Sequence, residues 1–322
     1  MHGFSLLTAA LGLALLAAPV VAQDSWPSKP VRIIVPSAPG GGTDIYSRSI
    51  AVALSDVFKQ QFVVENRPGG NAILGAEIAA KAAPDGYTLL ISASPALVIN
   101  PAMFTNLRYN PERDFAPVAP GVVSPLIYVV HPSIPARTLA ELVAIGKRDP
   151  GKLTYGSAGQ GSTTNLGVRL LEDATGARYT HIPYKGLGQA YQNLLSGDLS
   201  FMYSDIPTVL AHIRSGKLIA LAVSDPTTLL PGVPTVTDAG FPASAVHASF
   251  MVAAPMGTPA AIINRLNSEI NRYMRIPAVT DRLESQGLVP RYGTAEEFGV
   301  MLKKERDMWV AAVKRMGIKA EE

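Results

Sequence analysis

The sequence of 322 residues contains no cysteine. That absence excludes disulfides, thiolate metal sites and cysteine nucleophiles. It also excludes a lipid anchor attached at a cysteine. Histidine is scarce: His2, His131, His181, His212 and His247 lie far apart, with no His-Glu-x-x-His spacing, so no metal site is expected. No charge of one sign dominates, since 28 bases face 25 acids for a net +3. The densest basic cluster, Lys303, Lys304 and Arg306, is interrupted by Glu305 and makes no nucleic-acid footprint. The slight excess suits an anionic small ligand only weakly. No cofactor is called for by any motif. Beyond the N-terminus no segment is apolar for long enough to cross a bilayer, which takes ~20 residues.

What is present reads as a globular chain. Hydrophobic residues make up 48% and charged residues 16%, which supports a sizeable core rather than disorder. The length allows two domains or one large one. Residues 4–18 are apolar, and Val20-Val21-Ala22 precedes Gln23-Asp24. Small residues at the last and third-last positions predict signal-peptidase cleavage after Ala22. The n-region has no Lys or Arg, only the amino terminus and His2, so a start further upstream is the alternative. The mature protein is expected to be soluble and outside the cytoplasm.

The most informative stretch is Val31-Arg32-Ile33-Ile34-Val35-Pro36-Ser37-Ala38-Pro39-Gly40-Gly41-Gly42-Thr43-Asp44. The β-branched run predicts a buried strand. Pro36 and Pro39 end it, and the three glycines let the backbone turn sharply. Thr43 or Asp44 can cap a helix whose apolar face carries Tyr46, Ile50, Ala53, Leu54 and Val57. A strand, a glycine loop and a helix N-terminus can hold a phosphate or carboxylate, because the first helical N–H groups lack internal partners. There is no Lys for a phosphate-binding P-loop and no Gly-x-Gly-x-x-Gly spacing. A tight turn without a ligand fits the same residues.

Strands at 62–65 and 87–92 and a helix at 71–82 continue a β–α alternation, which implies a parallel α/β sheet. Ser92 and Ser94 follow a strand end, where ligands of open α/β sheets bind, although turn chemistry alone would place serines there. Residues 100–120 read as irregular. The opening pattern recurs at Leu153-Thr154-Tyr155, followed by Gly156-Ser157-Ala158-Gly159-Gln160-Gly161-Ser162-Thr163-Thr164 and a helix. Any of Ser162, Thr163 and Thr164 can cap it. No Gly-x-Ser-x-Gly elbow surrounds Ser157 or Ser162. Two such loops suggest two anion-receiving surfaces that face each other. Neither carries Arg or Lys, so backbone N–H groups and hydroxyls would meet the ligand's charge. Phe104, Tyr109 and Trp309 read as packing.

Taken together the motifs resemble the Bug-type (TctC-like) solute-binding proteins of the tripartite tricarboxylate transporters. The matches are Trp26-Pro27-Ser28-Lys29-Pro30, Pro39-Gly40-Gly41-Gly42-Thr43-Asp44, Val64-Glu65-Asn66-Arg67-Pro68-Gly69 and Pro84-Asp85-Gly86-Tyr87. They continue with Tyr155-Gly156-Ser157-Ala158-Gly159, Pro183-Tyr184-Lys185-Gly186 and Gly257-Thr258-Pro259, in the family's order. The resemblance implies an α/β fold of two Rossmann-like lobes around a cleft, of the type II periplasmic-binding kind. One lobe would comprise 23–124 and 249–322, the other 125–248. It implies a carboxylate gripped, partly through water, by Ser37, Ala38, Gly41, Gly42, Thr43 and Asp44 of the first loop and by Ser157, Ala158, Gly161, Ser162 and Thr163 of the second. Ser92, Ser94, Tyr184, Gly186 and Asp205 would line the rest. The implied partner is a two-subunit membrane permease driven by an ion gradient, with the binding protein working as a periplasmic monomer. The chain departs where the family often has an aromatic residue at Ser37, Trp at Ser249 and His at Asn165. Losing two rings would make room for a bulkier ligand or change a lobe contact.

Two acids carry alternatives. Asp44 can accept a hydrogen bond from a ligand, or it can cap the helix and pair with Arg48 at i+4. Asp205 precedes Ile206-Pro207, a helix-start pattern. The functional expectation is an exported binding protein without catalysis or metal. The rivals are a ligand sensor for a membrane receptor and an exported serine hydrolase using Ser157 or Ser162.

Overall fold

The β-branched run is a strand, β1 (Val31–Val35), buried at every position except Arg32. The computed structural model describes residues 26–40, 42–69, 71–184 and 187–317. The expected signal segment and its cleavage point lie outside the described residues, as do Gly41 and Gly186 of the expected site. After β1 come α1 (Gly42–Phe58), β2 (Phe62–Asn66), α2 (Ile73–Ala80) and β3 (Thr88–Ala93). A π-helical turn, Pro95–Ile99, leads into two short helices, α3 (Asn100–Met103) and α4 (Pro111–Asp114). Then follow β4 (Phe115–Ser124), β5 (Leu126–Val130), α5 (Leu139–Arg148), β6 (Thr154–Ser157) and α6 (Thr163–Thr175). Next are β7 (Thr180–Pro183), α7 (Leu187–Ser196), β8 (Phe201–Asp205), α8 (Ile206–Arg214) and β9 (Ile219–Val223). The chain closes with β10 (Ala248–Pro255), α9 (Ala260–Met274), α10 (Pro277–Ser285), β11 (Val289–Pro290) and α11 (Ala295–Arg315).

The strands form two sheets, ordered β11-β4-β10-β3-β1-β2 and β7-β6-β8-β5-β9. Each has a parallel heart, β2-β1-β3 and β7-β6-β8. The expected parallel pattern stops there, because β10 is antiparallel to β3 and β4, and β5 to β8 and β9. These are the strands that carry the chain between the sheets. Only Pro125 separates the end of β4 from the start of β5.

Residues 100–120, read as irregular, contain the first half of β4. Proline has no N–H for a ladder, so Pro117 and Pro120 argue against an interior strand. The structure accommodates them with two register shifts in the β4–β10 pairing, opposite Phe250–Val252 and opposite Val252–Ala253, where β4 carries one extra residue each time. At Gly121 (φ 68°) an added Cβ would lie 2.0 Å from the Phe250 carbonyl oxygen, so only glycine fits beside the bulge.

Helices cover both faces of each sheet. Tyr46, Ile50 and Leu54 of α1 pack with Ile263, Leu266 and Ile270 of α9 on one face of the first sheet. On the other lie Ala76 and Ala79 of α2 with Phe298, Leu302 and Trp309 of α11. Leu166 and Leu170 of α6, a helix of the second layer, belong to this same buried cluster. The Arg315 Nε–Asp173 Oδ2 pair at 2.9 Å joins the same two helices. Burying each leucine is worth about 1.5–3 kcal/mol, while an exposed ion pair is worth about 0–1, so the apolar contact dominates this seam. Among the described residues no helix is long and apolar enough to cross a membrane, and no group of three His, Asp or Glu is placed to hold a metal.

Candidate functional site

Strand directions place the two loops on facing edges. β4 runs parallel to β3, both being antiparallel to β10, so Ser124 lies on the edge where β1, β2 and β3 end. Leu126 pairs with Asp205 at the end of β8, the edge where β6 also ends. One residue links those edges. The loops after β1 and β6 therefore open toward the same seam, as ligand sites of open α/β sheets do.

The first loop is braced from beneath. Asp44 is buried in the first turn of α1. Its Oδ2 accepts from Gly40 N and Arg48 Nε, each at 2.9 Å, and its Oδ1 accepts from Asn66 Nδ2 at 2.9 Å. The same Asn66 amide donates to the Ser37 carbonyl at 3.0 Å. Burial raises the Asp44 pKa, but the bonds from Arg48, Gly40 and Asn66 more than offset this and hold it below the usual carboxylate range. Of the structural role open to Asp44, the i+4 pair with Arg48 is formed but the cap is not: α1 begins at Gly42, so Thr43 and Asp44 lie inside its first turn, and the Asp44 carboxylate reaches back to Gly40 N as a clasp on the loop. Ala38 is exposed, Thr43 is buried, and the Ser37 hydroxyl is buried with no hydrogen-bond partner among the described residues. A Cβ at Gly42 would lie 2.9 Å from the Phe250 ring.

The second loop is held by its own hydroxyls. Ser162 caps α6, accepting from Asn165 N at 3.3 Å, and it donates to the Gly159 carbonyl at 2.7 Å. This selects Ser162 among the three possible caps. Ala158 N donates to Thr164 Oγ1 at 3.1 Å and Gly161 N to Asn165 Oδ1 at 3.2 Å. Thr163 is buried at the first helical position. Ser157 Oγ accepts from Gly159 N at 3.1 Å and lies 2.7 Å from His181 Nε2. Burial, reinforced by the Arg169 charge, pushes the His181 pKa down to about 4, so the ring is neutral near pH 7.

The remaining positions line the same edges. Ser92 Oγ donates to the Ala93 carbonyl at 3.1 Å, and Ser94 Oγ accepts from Ser249 N at 3.1 Å. The Tyr184 hydroxyl accepts from Asn193 Nδ2 at 2.8 Å, and Tyr184 N donates to the Ser157 carbonyl at 3.1 Å. Asp205 caps α8 by position; its Oδ1 accepts from the Tyr191 hydroxyl at 3.0 Å and its Oδ2 from the Thr208 hydroxyl.

Sequence reasoning missed the braces. Asn66 was visible only as part of the Val64-Glu65-Asn66-Arg67 motif. His181 is 24 residues from Ser157, and the β6–β7 register, with Tyr155 opposite His181, brings them together. The serine thus has the imidazole neighbour that local sequence did not offer. Ser157 is nonetheless fully buried, and among the described residues no carboxylate is bonded to the ring's other nitrogen, so no relay is assembled. A separate cavity of about 240 Å³ opens between α11 and the first sheet, lined by Phe115, Pro117, Met256, Leu302 and Arg306, and contains none of the expected site residues.

Residues 46–318 match the family described as the tripartite tricarboxylate transporter family receptor, TctC. The chain is 38% identical over 307 residues to Protein BugT of Bordetella pertussis, covering 94% of each chain. It is similar to the structure of R. palustris Rpa4515 with adipate, with 30% identity and a TM-score of 0.84, covering 91% of this chain and 98% of that one. It is also similar to MatC from Rhodopseudomonas palustris with bound malate, with 29% identity and a TM-score of 0.81, covering 89% of this chain and all of that one. The expected fold, two α/β lobes of the periplasmic-binding kind, holds.

Proposed function

Because the chain belongs to the TctC receptor family of periplasmic solute-binding proteins, which are receptors and not enzymes, we propose that it captures one small organic carboxylate between its two loops and presents it to a tripartite transporter permease. The observation that carries this reading is the pair of strand-to-helix loops, neither with an Arg or Lys, on facing sheet edges after β1 and β6. Their backbone N–H groups and hydroxyls suit a carboxylate, and no buried cation is stranded when the cleft opens. The orphan Ser37 hydroxyl is a further group that a ligand or an ordered water would satisfy.

In this reading residues 23–124 with 249–322 and residues 125–248 move as two bodies about the links at Pro125 and 245–250. Ligand bridging both loops favours the closed arrangement by the contacts made only there. The protein acts as a periplasmic monomer after cleavage at Ala22, and the permease has two subunits. Adipate and malate, bound in the two solved relatives, are the first probes. Native mass spectrometry of the freshly purified protein, followed by calorimetry with aliphatic and aromatic mono- and dicarboxylates, tests the proposal. A co-purified acid, or a saturable isotherm with one member, is expected. No binding across the panel would overturn it.

A further inference from the structure

The turn between β2 and α2 is strained in an unusual way. Asn71 has φ 51° and the next residue, Ala72, has φ 72°. L-residues avoid this left-handed region; asparagine tolerates it, whereas alanine has no such excuse. Strain of this kind persists only where surrounding contacts hold it. Here the hold is a reciprocal amide clamp: Asn71 Nδ2 donates to Asn100 Oδ1 and Asn100 Nδ2 to the Asn71 carbonyl, each at 2.9 Å. Asn100 is fully buried, and its amide nitrogen also reaches the Tyr109 hydroxyl at 3.3 Å.

The clamp aims Asn71 across the seam. Its Nδ2 also donates to the Gly161 carbonyl in the second ligand loop, at 3.4 Å. Gly161 has φ 71°, and a Cβ there would lie 3.3 Å from Met103 Cε and 3.5 Å from Asn71 Nδ2, so that loop rests on the first lobe. Gly161 is fixed in its own lobe by Asn165, whose Nδ2 donates to the Tyr155 hydroxyl at 2.8 Å. The amide of Asn71 therefore joins a rigid support in one lobe to a ligand-gripping loop in the other.

We propose that Asn71 is a latch, a positioning residue that holds the second ligand loop against the first lobe and so stabilises the closed arrangement of the cleft. It rests on the two-loop reading above only for its effect on ligand. Contacts made in the closed state alone shift the population toward it in proportion to their free energy. One long hydrogen bond of this kind corresponds to about a three- to ten-fold change in population.

The test exploits the cysteine-free sequence. Lys81→Cys in the first lobe and Lys152→Cys in the second are exposed positions for a spin-label pair. Distance distributions are recorded for the otherwise wild-type protein, Asn71→Gly, Asn71→Asp and Tyr109→Phe, with and without adipate. Asn71→Gly removes the amide while relieving the positive-φ backbone, which offsets part of the stability lost at the buried Asn100, so its melting temperature should fall less than that of Asn71→Asp. Tyr109→Phe disturbs the clamp on the side away from Gly161 and serves as the control. The short-distance population should drop about three- to ten-fold in both Asn71 variants and hold in Tyr109→Phe. Adipate should dissociate faster by the same factor, with its association rate unchanged. Wild-type distributions in both Asn71 variants overturn the latch, as does an equal shift in Tyr109→Phe. Failure of every carboxylate to bind overturns the proposed function instead, and the ligand-free distributions still decide the latch.

Discussion

Acidification should weaken the fold through one imidazole. His181 lies against Ser157 at 2.7 Å and stacks on Tyr155 with ring centroids 4.8 Å apart. Its pKa falls from 6.5 to about 4 because burial disfavours the cation, with Arg169 adding repulsion. The unfolded chain therefore binds a proton between those values that the native chain does not. The stability contribution is fully present above about pH 6.5 and is lost progressively as the pH falls to about 4. At 1.36 kcal/mol per unit the full loss is roughly 3 kcal/mol, and roughly 2 after allowance for the partly exposed ring. His181→Gln removes the titration while leaving a neutral polar side chain. Urea unfolding of both proteins at intervals from pH 7 to pH 4 isolates the effect, because the carboxylates titrate alike in each. The difference in stability between the two should shrink or reverse by roughly 2 kcal/mol across that window. Parallel curves, or an NMR titration of His181 with a midpoint near its unperturbed value, would refute the reasoning.

Three substitutions test the frame of the two loops. Asn66→Ala removes the bonds to Asp44 and to the Ser37 carbonyl, and should cost about 1–3 kcal/mol in urea unfolding while weakening carboxylate affinity in calorimetry. Ser162→Ala removes the α6 cap and the Gly159 contact, and should lower stability by about 1 kcal/mol in the same assay. Gly121→Ala forces a Cβ onto the Phe250 carbonyl at a positive φ, and should cost more than about 4 kcal/mol, read as loss of soluble protein with native circular dichroism.

Legibility in the sequence followed the range of the interaction. β1, the loop after it and α1 were readable because a β-branched run, prolines and glycines act within a few residues of themselves. α5 and α11 each begin at a capping box, Thr138 and Thr294 with glutamate three residues on, a signal that also acts within one helical turn. β4 was hidden because Pro117 and Pro120 speak against a ladder, and only the extra residues that β4 carries opposite β10 make room for them. The loops themselves were visible as clusters of glycine and hydroxyl residues. Their braces were not, because Asn66 and His181 find their partners through strand pairing, and pairing register is a property of the folded sheet. Asn71 was hidden for a further reason: its partner lies 90 residues away, across the seam.

The protein has two tryptophans, and the fold sorts them. Trp26 sits among Phe58, Phe62 and Tyr87, wholly within the first lobe. Trp309 is buried in the cluster that also takes in Leu166 and Leu170 from α6. One emitter is blind to the relative position of the lobes and the other looks onto their junction. For the two-body motion proposed above the chain thus carries its own optical gauge: with Trp26 replaced by phenylalanine, the colour and intensity of the remaining emission are expected to change with the angle between the halves, without any added dye.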